Sequence, residues 1–316
     1  MKSKESLIVV TGATGWVGRN ILDVLQKKIS YTKFNSNVIA LASKEQIIQS
    51  TGYKNKNRIE IKVKNLKIFP KLCKETHRIL LIHSAFLTRN YITSKNVNEY
   101  IKTNKFITKT ICNGLSLCKD HKVVEISSGA ASAFDDSYQK SLNINEVIKN
   151  PYAYLKKAEE VEISKFNSLI LRIYALSGPY IKKPSIYALS SFLLNAIKGN
   201  SFEIDSIRPV FRSYGHANNI SELACTWLLS NNITSNNNKV INTVSHTTDL
   251  ISLAKLITDE YNLPEAKNHI DFNKTPDSYI SSEDEFINLL KRYDIKVKSF
   301  REQVLDTANY LKFHKY

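Results

Sequence analysis

The sequence predicts an α/β fold, in which helices cover both faces of a doubly wound parallel sheet and a smaller C-terminal lobe follows. Short apolar segments rich in Val, Ile and Leu recur along the first half of the chain, as expected of strands buried on both faces. Helical patterns separate them at residues 17–29, 98–118 and 152–165, an alternation typical of βαβ units. The predicted strands cover residues 7–11, 37–42, 59–63, 79–83, 123–127 and 168–173.

The alternation ends near Tyr174, and Gly178-Pro179 marks a loop. We therefore predict a first domain over residues 1–175, rejoined by about 215–245, and a smaller lobe over 176–316. Further elements are predicted as helices at residues 185–198 and 221–230, a polar loop at 231–238, a strand at 239–244 and mostly helix after 249.

Composition indicates a folded globular chain, since 42% of the 316 residues are hydrophobic. No apolar run reaches the roughly 20 residues of a membrane helix. The first apolar segment runs into a glycine-rich turn without a cleavage site, which favours a strand over a signal peptide. The four cysteines show neither CxxC nor His-paired spacing, which predicts free thiols in a reducing cytoplasm and no metal site.

The formal charge of +16 raises the hypothesis of nucleic-acid binding. However, the lysines are spread along the chain and form no block or helical stripe with interleaved aromatic residues. We therefore predict no nucleic-acid or membrane partner. A basic cleft would instead attract an anionic nucleotide ligand.

A glycine-rich turn follows the first predicted strand, in the segment LIVVTGATGWVG. Gly12 permits the tight turn, Gly15 lets the backbone approach a pyrophosphate, and Gly18 allows the helix to pack closely on the strand. A glycine triplet alone is weak evidence, but its place between a strand and a helix N-terminus predicts a Rossmann-type dinucleotide site. The predicted contacts are Gly12, Thr14, Gly15, Trp16, Val17 and Gly18.

The end of the second predicted strand bears on the choice between NAD and NADP. An NAD site usually has Asp or Glu there to bond the ribose hydroxyls, whereas this chain has Ser43 and Lys44. A hydroxyl followed by a cation suits the 2′-phosphate of NADP better. Lys44 is also compatible with a solvated surface lysine, so the sequence favours NADP and leaves NAD open.

A serine, a tyrosine and a lysine form the predicted catalytic set. Ser128 ends the fifth predicted strand, and Tyr152 and Lys156 follow at YxxxK spacing. Residues four apart share a helix face, so the lysine ammonium can stabilise the phenolate of Tyr152. Tyr152 can then exchange a proton while Ser128 orients a carbonyl or alcohol. An isolated YxxxK is also compatible with an exposed helical pair; the order of the motifs favours catalysis.

These motifs resemble the extended short-chain dehydrogenases/reductases, the nucleotide-sugar epimerase, dehydratase and reductase family, along nearly the whole chain. The resemblance implies that Asn65 and Leu66 contact adenine and that Ser84 and Ala85 run under the cofactor. It also implies that Arg212 clamps the substrate pyrophosphate, although a salt bridge explains that arginine equally well. A homodimer through the helices at 98–118 and 152–165 and a role in polysaccharide biosynthesis are further expectations from the family.

Several residues depart from the pattern of that family. Its dehydratases have Asp-Glu after the catalytic hydroxyl residue, whereas Gly129 and Ala130 follow Ser128 and cannot shuttle protons. Reductases that also epimerise neighbouring carbons resemble each other in a histidine after Gly-Pro, where this chain has Tyr180. Dehydration and that combined activity are therefore disfavoured.

The leading hypothesis from the sequence is a reductase of a nucleotide-linked 4-keto-6-deoxy sugar, with Tyr152 as the acid. The alternative is a nucleotide-sugar C4 epimerase that uses tightly bound NAD and the same residues. A non-catalytic dinucleotide-binding regulator is a more distant alternative, because both Tyr152 and Lys156 are present.

Overall fold

The computed structural model describes residues 6–50, 59–93, 95–138, 144–230 and 239–314, and the predicted loop at 231–238 lies outside them. The strands are β1 (Leu7–Thr11), β2 (Val38–Ala42), β3 (Gln46–Ser50), β4 (Ile59–Asn65), β5 (Arg78–His83), β6 (Asp120–Ser128), β7 (Ser168–Ile173), β8 (Ala175–Ser177), β9 (Glu203–Ile204), β10 (Val210–His216), β11 (Lys239–Asn242), β12 (His246–Asp249), β13 (Lys267–Asn268) and β14 (Asp277–Tyr279). The α-helices are α1 (Trp16–Lys28), α2 (Tyr31–Asn37), α3 (Phe69–Glu75), α4 (Val97–Leu117), α5 (Ile144–Lys149), α6 (Pro151–Ile163), α7 (Ala188–Ile197), α8 (Ala217–Leu229), α9 (Leu250–Tyr261), α10 (Asp284–Arg292) and α11 (Phe300–Phe313).

An eight-stranded sheet in the order β11-β7-β6-β5-β1-β2-β4-β3 forms the first unit of the chain. The pairs β1–β2, β1–β5, β2–β4 and β5–β6 are parallel. The chain winds from β1 through β2 to β4 on one side and from β5 through β6 to β7 on the other. This confirms the predicted doubly wound parallel sheet, and it places the switch of winding direction between β1 and β5. Ligands of such sheets bind at the carboxyl ends of strands beside that point.

One edge of this sheet differs from the prediction. Residues 46–50 were expected to lie outside the strands, but they form β3, which pairs antiparallel with β4. Ile48 of β3 is buried whereas Ile47 is 60% exposed, as expected of an edge strand covered on one face. The short helix α2 was also not predicted, because its polar sequence YTKFNSN has no apolar periodicity.

Contacts divide the chain into two compact units, residues 1–172 with 224–241 and residues 173–223 with 242–316. The core of the first unit includes Val9, Phe69, Leu81 and Ile111, which are fully buried. In the second unit β10 pairs with β8, β12 and β14. Within the described residues, every helix is too short or too polar to cross a membrane.

Candidate active site

The turn after β1 has no room for side chains at its glycines. Gly12 has a φ of +64°, which favours glycine, and a Cβ at this position would lie 2.5 Å from the Ser84 carbonyl oxygen. A Cβ at Gly18 would lie 2.2 Å from the Gly12 carbonyl oxygen. The backbone therefore runs unusually close to β5 and to itself, as a diphosphate cradle requires.

The start of α1 completes this cradle. The helix begins at Trp16 with Gly15 as the N-cap, a residue without a side chain that could cap the first N–H groups. Backbone N–H groups and the helix dipole at this end favour an anion. Thr14, Trp16 and Val17 are half-buried around the turn, whereas Gly18 is buried beneath it. The predicted turn residues thus fit the diphosphate of a dinucleotide.

The region after β2 has the polar groups that the sequence predicts, but they are solvent-exposed. Ser43 and Lys44 are exposed, and no carboxylate follows Ala42 until the exposed Glu45. Asn65 donates from its amide to the Ser43 carbonyl oxygen at 3.0 Å and accepts from the Lys67 N–H at 3.0 Å. Asn65 therefore anchors the Ser43 segment, next to the buried Leu66.

Tyr152 and Lys156 lie on the same side of α6, against one aromatic ring. The rings of Tyr152 and Phe86 meet edge to face with centroids 5.9 Å apart, and the Lys156 ammonium lies 4.1 Å from the centroid of Phe86. Lys156 is buried, and its ammonium donates to the Ile126 carbonyl oxygen at 2.9 Å. The helical spacing therefore does bring the phenol and the ammonium to a common neighbour.

The two serines at the end of β6 have different partners. Ser127 donates to the Glu160 carboxylate at 2.6 Å, within the protein interior. Ser128 accepts from the Ala130 N–H at 3.2 Å and caps the 3₁₀-helix Gly129–Phe134, which packs against α6. Ser127 is therefore bound to α6 through Glu160, whereas Ser128 caps the turn that follows β6, and the catalytic role of Ser128 stays a prediction. Ser84 and Ala85 follow β5 and are half-buried.

Arg212 lies on β10, in the second unit. Its guanidinium donates to the Asp277 carboxylate at 2.7 Å and to the Asp277 carbonyl oxygen at 2.8 Å. The salt bridge that the sequence left open is thus present within this unit. The clamping of a pyrophosphate by Arg212 stays a prediction.

A buried group that the sequence analysis missed surrounds the ammonium of Lys156. Glu159 has no exposed side-chain surface, and its carboxylate accepts from Lys156 at 2.8 Å and from His83 Nε2 at 3.0 Å. His83 Nδ1 lies 2.7 Å from the hydroxyl of Thr11, the last residue of β1. We call Lys156, Glu159, His83 and Thr11 the lysine cluster. It connects the start of the phosphate turn to the predicted catalytic lysine.

Burial and neighbouring charges determine the ionisation of this cluster. Burial alone would raise the pKa of Glu159, but Lys156 and His83 hold that pKa well below its usual range. Burial alone would lower the pKa of Lys156, but Glu159, Glu125 and Tyr152 raise it above its usual value. Lys156 and Glu159 are therefore both charged at neutral pH.

Glu125 lies on β6 beside this pair and is completely buried. Burial raises the pKa of Glu125 well above its usual range, and the negative charge of Glu159 raises it further. The positive charge of Lys156 acts in the opposite direction and lowers this pKa. Glu125 therefore holds its proton more strongly than Glu159 does. A signal for it was visible in the sequence, since it is the charged residue in the apolar run VVEIS.

A second buried group lies next to the first and involves the following residue of α6. Glu160 accepts from Arg172 at 2.8 and 2.6 Å and from Ser127. Arg172 also binds Asp135 through two hydrogen bonds, of 2.7 and 2.6 Å. We call Arg172, Glu160, Asp135 and Ser127 the arginine cluster. It ties α6 to β6 and β7.

A comparison with protein families decides the relationship of this chain to known proteins. The model of the NAD-dependent epimerase/dehydratase family matches residues 8–243. The chain belongs to this family. Its members are nicotinamide-dependent enzymes, and the chain is accordingly an NAD-dependent enzyme. No curated protein matches the chain in sequence.

Solved structures of nucleotide-sugar epimerases share the fold of this family member. A UDP-N-acetylglucosamine 4-epimerase from Methanobrevibacter ruminantium M1, in complex with UDP-N-acetylmuramic acid, is 19% identical with a TM-score of 0.68; the match covers 99% of this chain and 100% of that one. A UDP-glucuronic acid 4-epimerase from Bacillus cereus, in complex with UDP-glucuronic acid and NAD, is 15% identical with a TM-score of 0.68 and the same coverage. A UDP-glucose 4-epimerase from Thermotoga maritima, with UDP-glucose, is 15% identical with a TM-score of 0.69 and also covers 99% and 100%.

Proposed function

We propose that the protein is a nucleotide-sugar C4 epimerase that uses NAD. The observation that carries this proposal is the common contact of Tyr152 and Lys156 with Phe86, in the unit that also contains the phosphate turn. The similar solved structures are described as 4-epimerases, and one contains NAD with its substrate. These findings favour the epimerase over the reductase that the sequence placed first.

The proposed mechanism needs only residues that the chain has. Tyr152, as phenolate, takes the proton of the sugar 4-hydroxyl and later returns it to the oxygen of the 4-keto sugar. Lys156 stabilises the phenolate, and Ser128 holds the reacting oxygen. NAD, held by the phosphate turn, would supply the hydride chemistry at C4, with return of the hydride to the opposite face of the sugar. Since Gly129 and Ala130 cannot act as acid and base, no water is eliminated from the sugar.

The two units divide the binding task in this proposal. The first holds the dinucleotide, with Gly12, Gly15 and Gly18 at the diphosphate and with Ser84 and Ala85 beneath the cofactor. The second is the substrate lobe. There Arg212 would bind the substrate pyrophosphate while Asp277 holds its guanidinium.

The test is to incubate the purified protein with UDP-glucose, UDP-N-acetylglucosamine and UDP-glucuronic acid and to follow the 4-epimers by chromatography. We expect interconversion without net consumption of reduced cofactor, and NAD released on denaturation. Tyr152→Phe is the control, because it keeps the ring against Phe86 and removes the phenol. Equal rates in the variant and the wild type would contradict the assigned role of Tyr152.

A reductase that uses NADPH is the second candidate, and the segment after β2 favours it. Ser43 and Lys44 are exposed there, and the carboxylate of a typical NAD site is missing. In this case 4-keto sugars would consume NADPH stoichiometrically. Lys44→Ala should weaken NADPH binding by about tenfold, the loss of one charged phosphate contact, and leave NADH binding unchanged. Lys28→Ala, at the far end of α1, is the matched control; tighter binding of NADH than of NADPH by the wild type would contradict the NADP prediction.

We propose a cytoplasmic homodimer. The four cysteines are free thiols, as in a reducing compartment. Phe106 is 49% exposed on α4, the helix that the family resemblance places at the dimer interface. Phe106→Lys should therefore yield a monomer by light scattering, whereas Lys105→Ala beside it should not; a monomeric wild type would contradict the proposal.

A further inference from the structure

The lysine cluster contains a carboxylate that the proposed chemistry does not use. Glu159 lies three residues after Lys156 and is completely buried. A buried carboxylate is costly unless several donors satisfy it. Here the donors are Lys156, His83 and the Thr108 hydroxyl, the last at 3.2 Å. The side chain is therefore held rigidly against the ammonium.

A chain of hydrogen bonds fixes Glu159 in turn. As a carboxylate it only accepts, so Nε2 of His83 carries the proton that it donates. On its other side His83 meets the Thr11 hydroxyl, which also accepts from the Ser84 N–H at 3.2 Å. The ammonium of Lys156 is thus held by β1 and β5 through Glu159, and by β6 through the Ile126 carbonyl oxygen.

The geometry assigns Glu159 as a positioning residue: its carboxylate holds the Lys156 ammonium against Phe86 and offsets the positive charge that this ammonium exerts on Tyr152. The inference rests on the proposed catalytic role of Lys156. Two of the three ammonium hydrogens are used by Glu159 and Ile126. A third remains to be directed toward the phenol or the ribose of a bound cofactor.

Among the described carboxylates near Lys156, Glu159 is the one that pairs with its ammonium. Burial raises the pKa of Glu125 on β6 well above the usual range, so Glu125 holds its proton more strongly than Glu159 does. Glu160 is neutralised by Arg172. The titratable groups that interact with Glu159 are His83 on β5, Glu125 on β6, Tyr100 and Cys112 on α4, and Lys156 on α6.

The decisive variant is Glu159→Gln, which keeps the shape and removes the charge. Without the Glu159 carboxylate, no negative charge offsets the positive charge of Lys156 at the Tyr152 phenol, so the phenolate forms at lower pH. We expect the pH–rate profile of turnover to move to lower pH by roughly 1 unit, as a nearby charge typically produces. A purely structural role would lower the rate and leave the profile in place, and that outcome would overturn the inference.

A measurement that does not depend on turnover, the pKa of Lys156, separates this inference from the proposed function. NMR of isotope-labelled lysine side chains measures the pKa of Lys156, and the loss of one signal in Lys156→Met assigns the resonance. This pKa should fall in Glu159→Gln. A fall in that pKa in a protein without epimerase activity would refute the function and keep the electrostatic pairing. An unchanged pKa in an active enzyme would refute the pairing alone.

Two matched variants complete the experiment. Glu162→Gln makes the same change on the same helix, where the carboxylate pairs with the half-exposed Lys165, and should leave the Lys156 signal unchanged. If Glu159→Gln fails to fold, Glu159→Asp keeps the charge and should retain the wild-type profile. A shift in Glu159→Asp as large as 1 unit would overturn the proposal.

Discussion

Glu159 and Glu160 are consecutive residues of α6, and both are buried, yet they belong to different structures. Glu160 binds an arginine on β7 and a serine on β6, so its cluster joins three elements. Glu159 binds a lysine on its own helix, and hydrogen bonds from His83 and Thr108 connect it to β5 and α4. Arg172 also donates two hydrogen bonds to Asp135.

This difference indicates that burial of a charged pair does not by itself reveal its role. In the arginine cluster the hydrogen bonds of Arg172 and Ser127 join α6 to β6 and β7 and to Asp135. In the lysine cluster the cation retains a hydrogen and lies beside Tyr152. The two clusters are therefore expected to differ in their effect on turnover: variants of the lysine cluster should change both turnover and stability, whereas variants of the arginine cluster should change mainly stability.

Lys156→Met should have the largest effect, because it removes the cation that stabilises the phenolate. We expect turnover to fall by about 10²–10⁴-fold. The free energy of unfolding should fall by about 3–5 kcal/mol, because Glu159 loses its cation. Steady-state kinetics and urea unfolding measure the two effects. Adding Glu159→Gln should restore stability and leave turnover low; recovery of both would show that Lys156 acts only through stability.

Arg172→Met should mainly destabilise the protein. It leaves Glu160 buried without its cation, at a cost of about 3–5 kcal/mol by urea unfolding. The pH–rate profile of the remaining folded enzyme should stay where it is, because the lysine cluster is intact. A displaced profile in Arg172→Met would mean that the two clusters are one electrostatic unit.

Thr11→Val tests the far end of the lysine cluster. It leaves His83 Nδ1 and the Ser84 N–H without the hydroxyl, which costs about 1–3 kcal/mol of unfolding free energy. Ser127→Ala is the matched change in the arginine cluster. It should cost less, because Arg172 still binds Glu160 through two hydrogen bonds. The reverse order would contradict the hydrogen-bond chain from Thr11 to Glu159.

Asp135→Asn should have the smallest effect, and a pH-dependent one. Hydrogen bonds from Arg172, followed by Lys157, lower the pKa of Asp135 to about 2 in the folded protein. A carboxyl with a lowered pKa stabilises the fold above its unfolded pKa of about 4 and loses this contribution as the pH falls toward 2. The side chain is 40% exposed, so we expect about 0.5–1 kcal/mol at pH 7. Urea unfolding of both proteins at several pH values should show the difference vanish toward pH 2; a constant difference would contradict the charge assignment.

The sequence was sufficient to predict those elements whose signals lie close together in the chain. β1 and β7 have the predicted bounds, and the turn at Gly12 adopts the positive φ that its glycine permits. The edge strand β3 was missed because its pairing with β4 depends on contacts outside its own short sequence. The salt bridge between Arg212 and Asp277 joins residues 65 positions apart, so no local pattern predicts it.

By itself the sequence determined the doubly wound sheet and the glycine turn after β1, because each depends on spacing along a strand or a turn. The Ser–Tyr–Lys set is likewise predicted from spacing and stays a prediction. Only the tertiary structure decided which carboxyl groups are charged. Glu125 and Glu159 are the same residue type, and their opposite pKa shifts arise from burial and from the partners that β1, β5 and α6 bring together. Charge in a protein interior depends on neighbours in space, and those neighbours exist only once the sheet and α6 have packed.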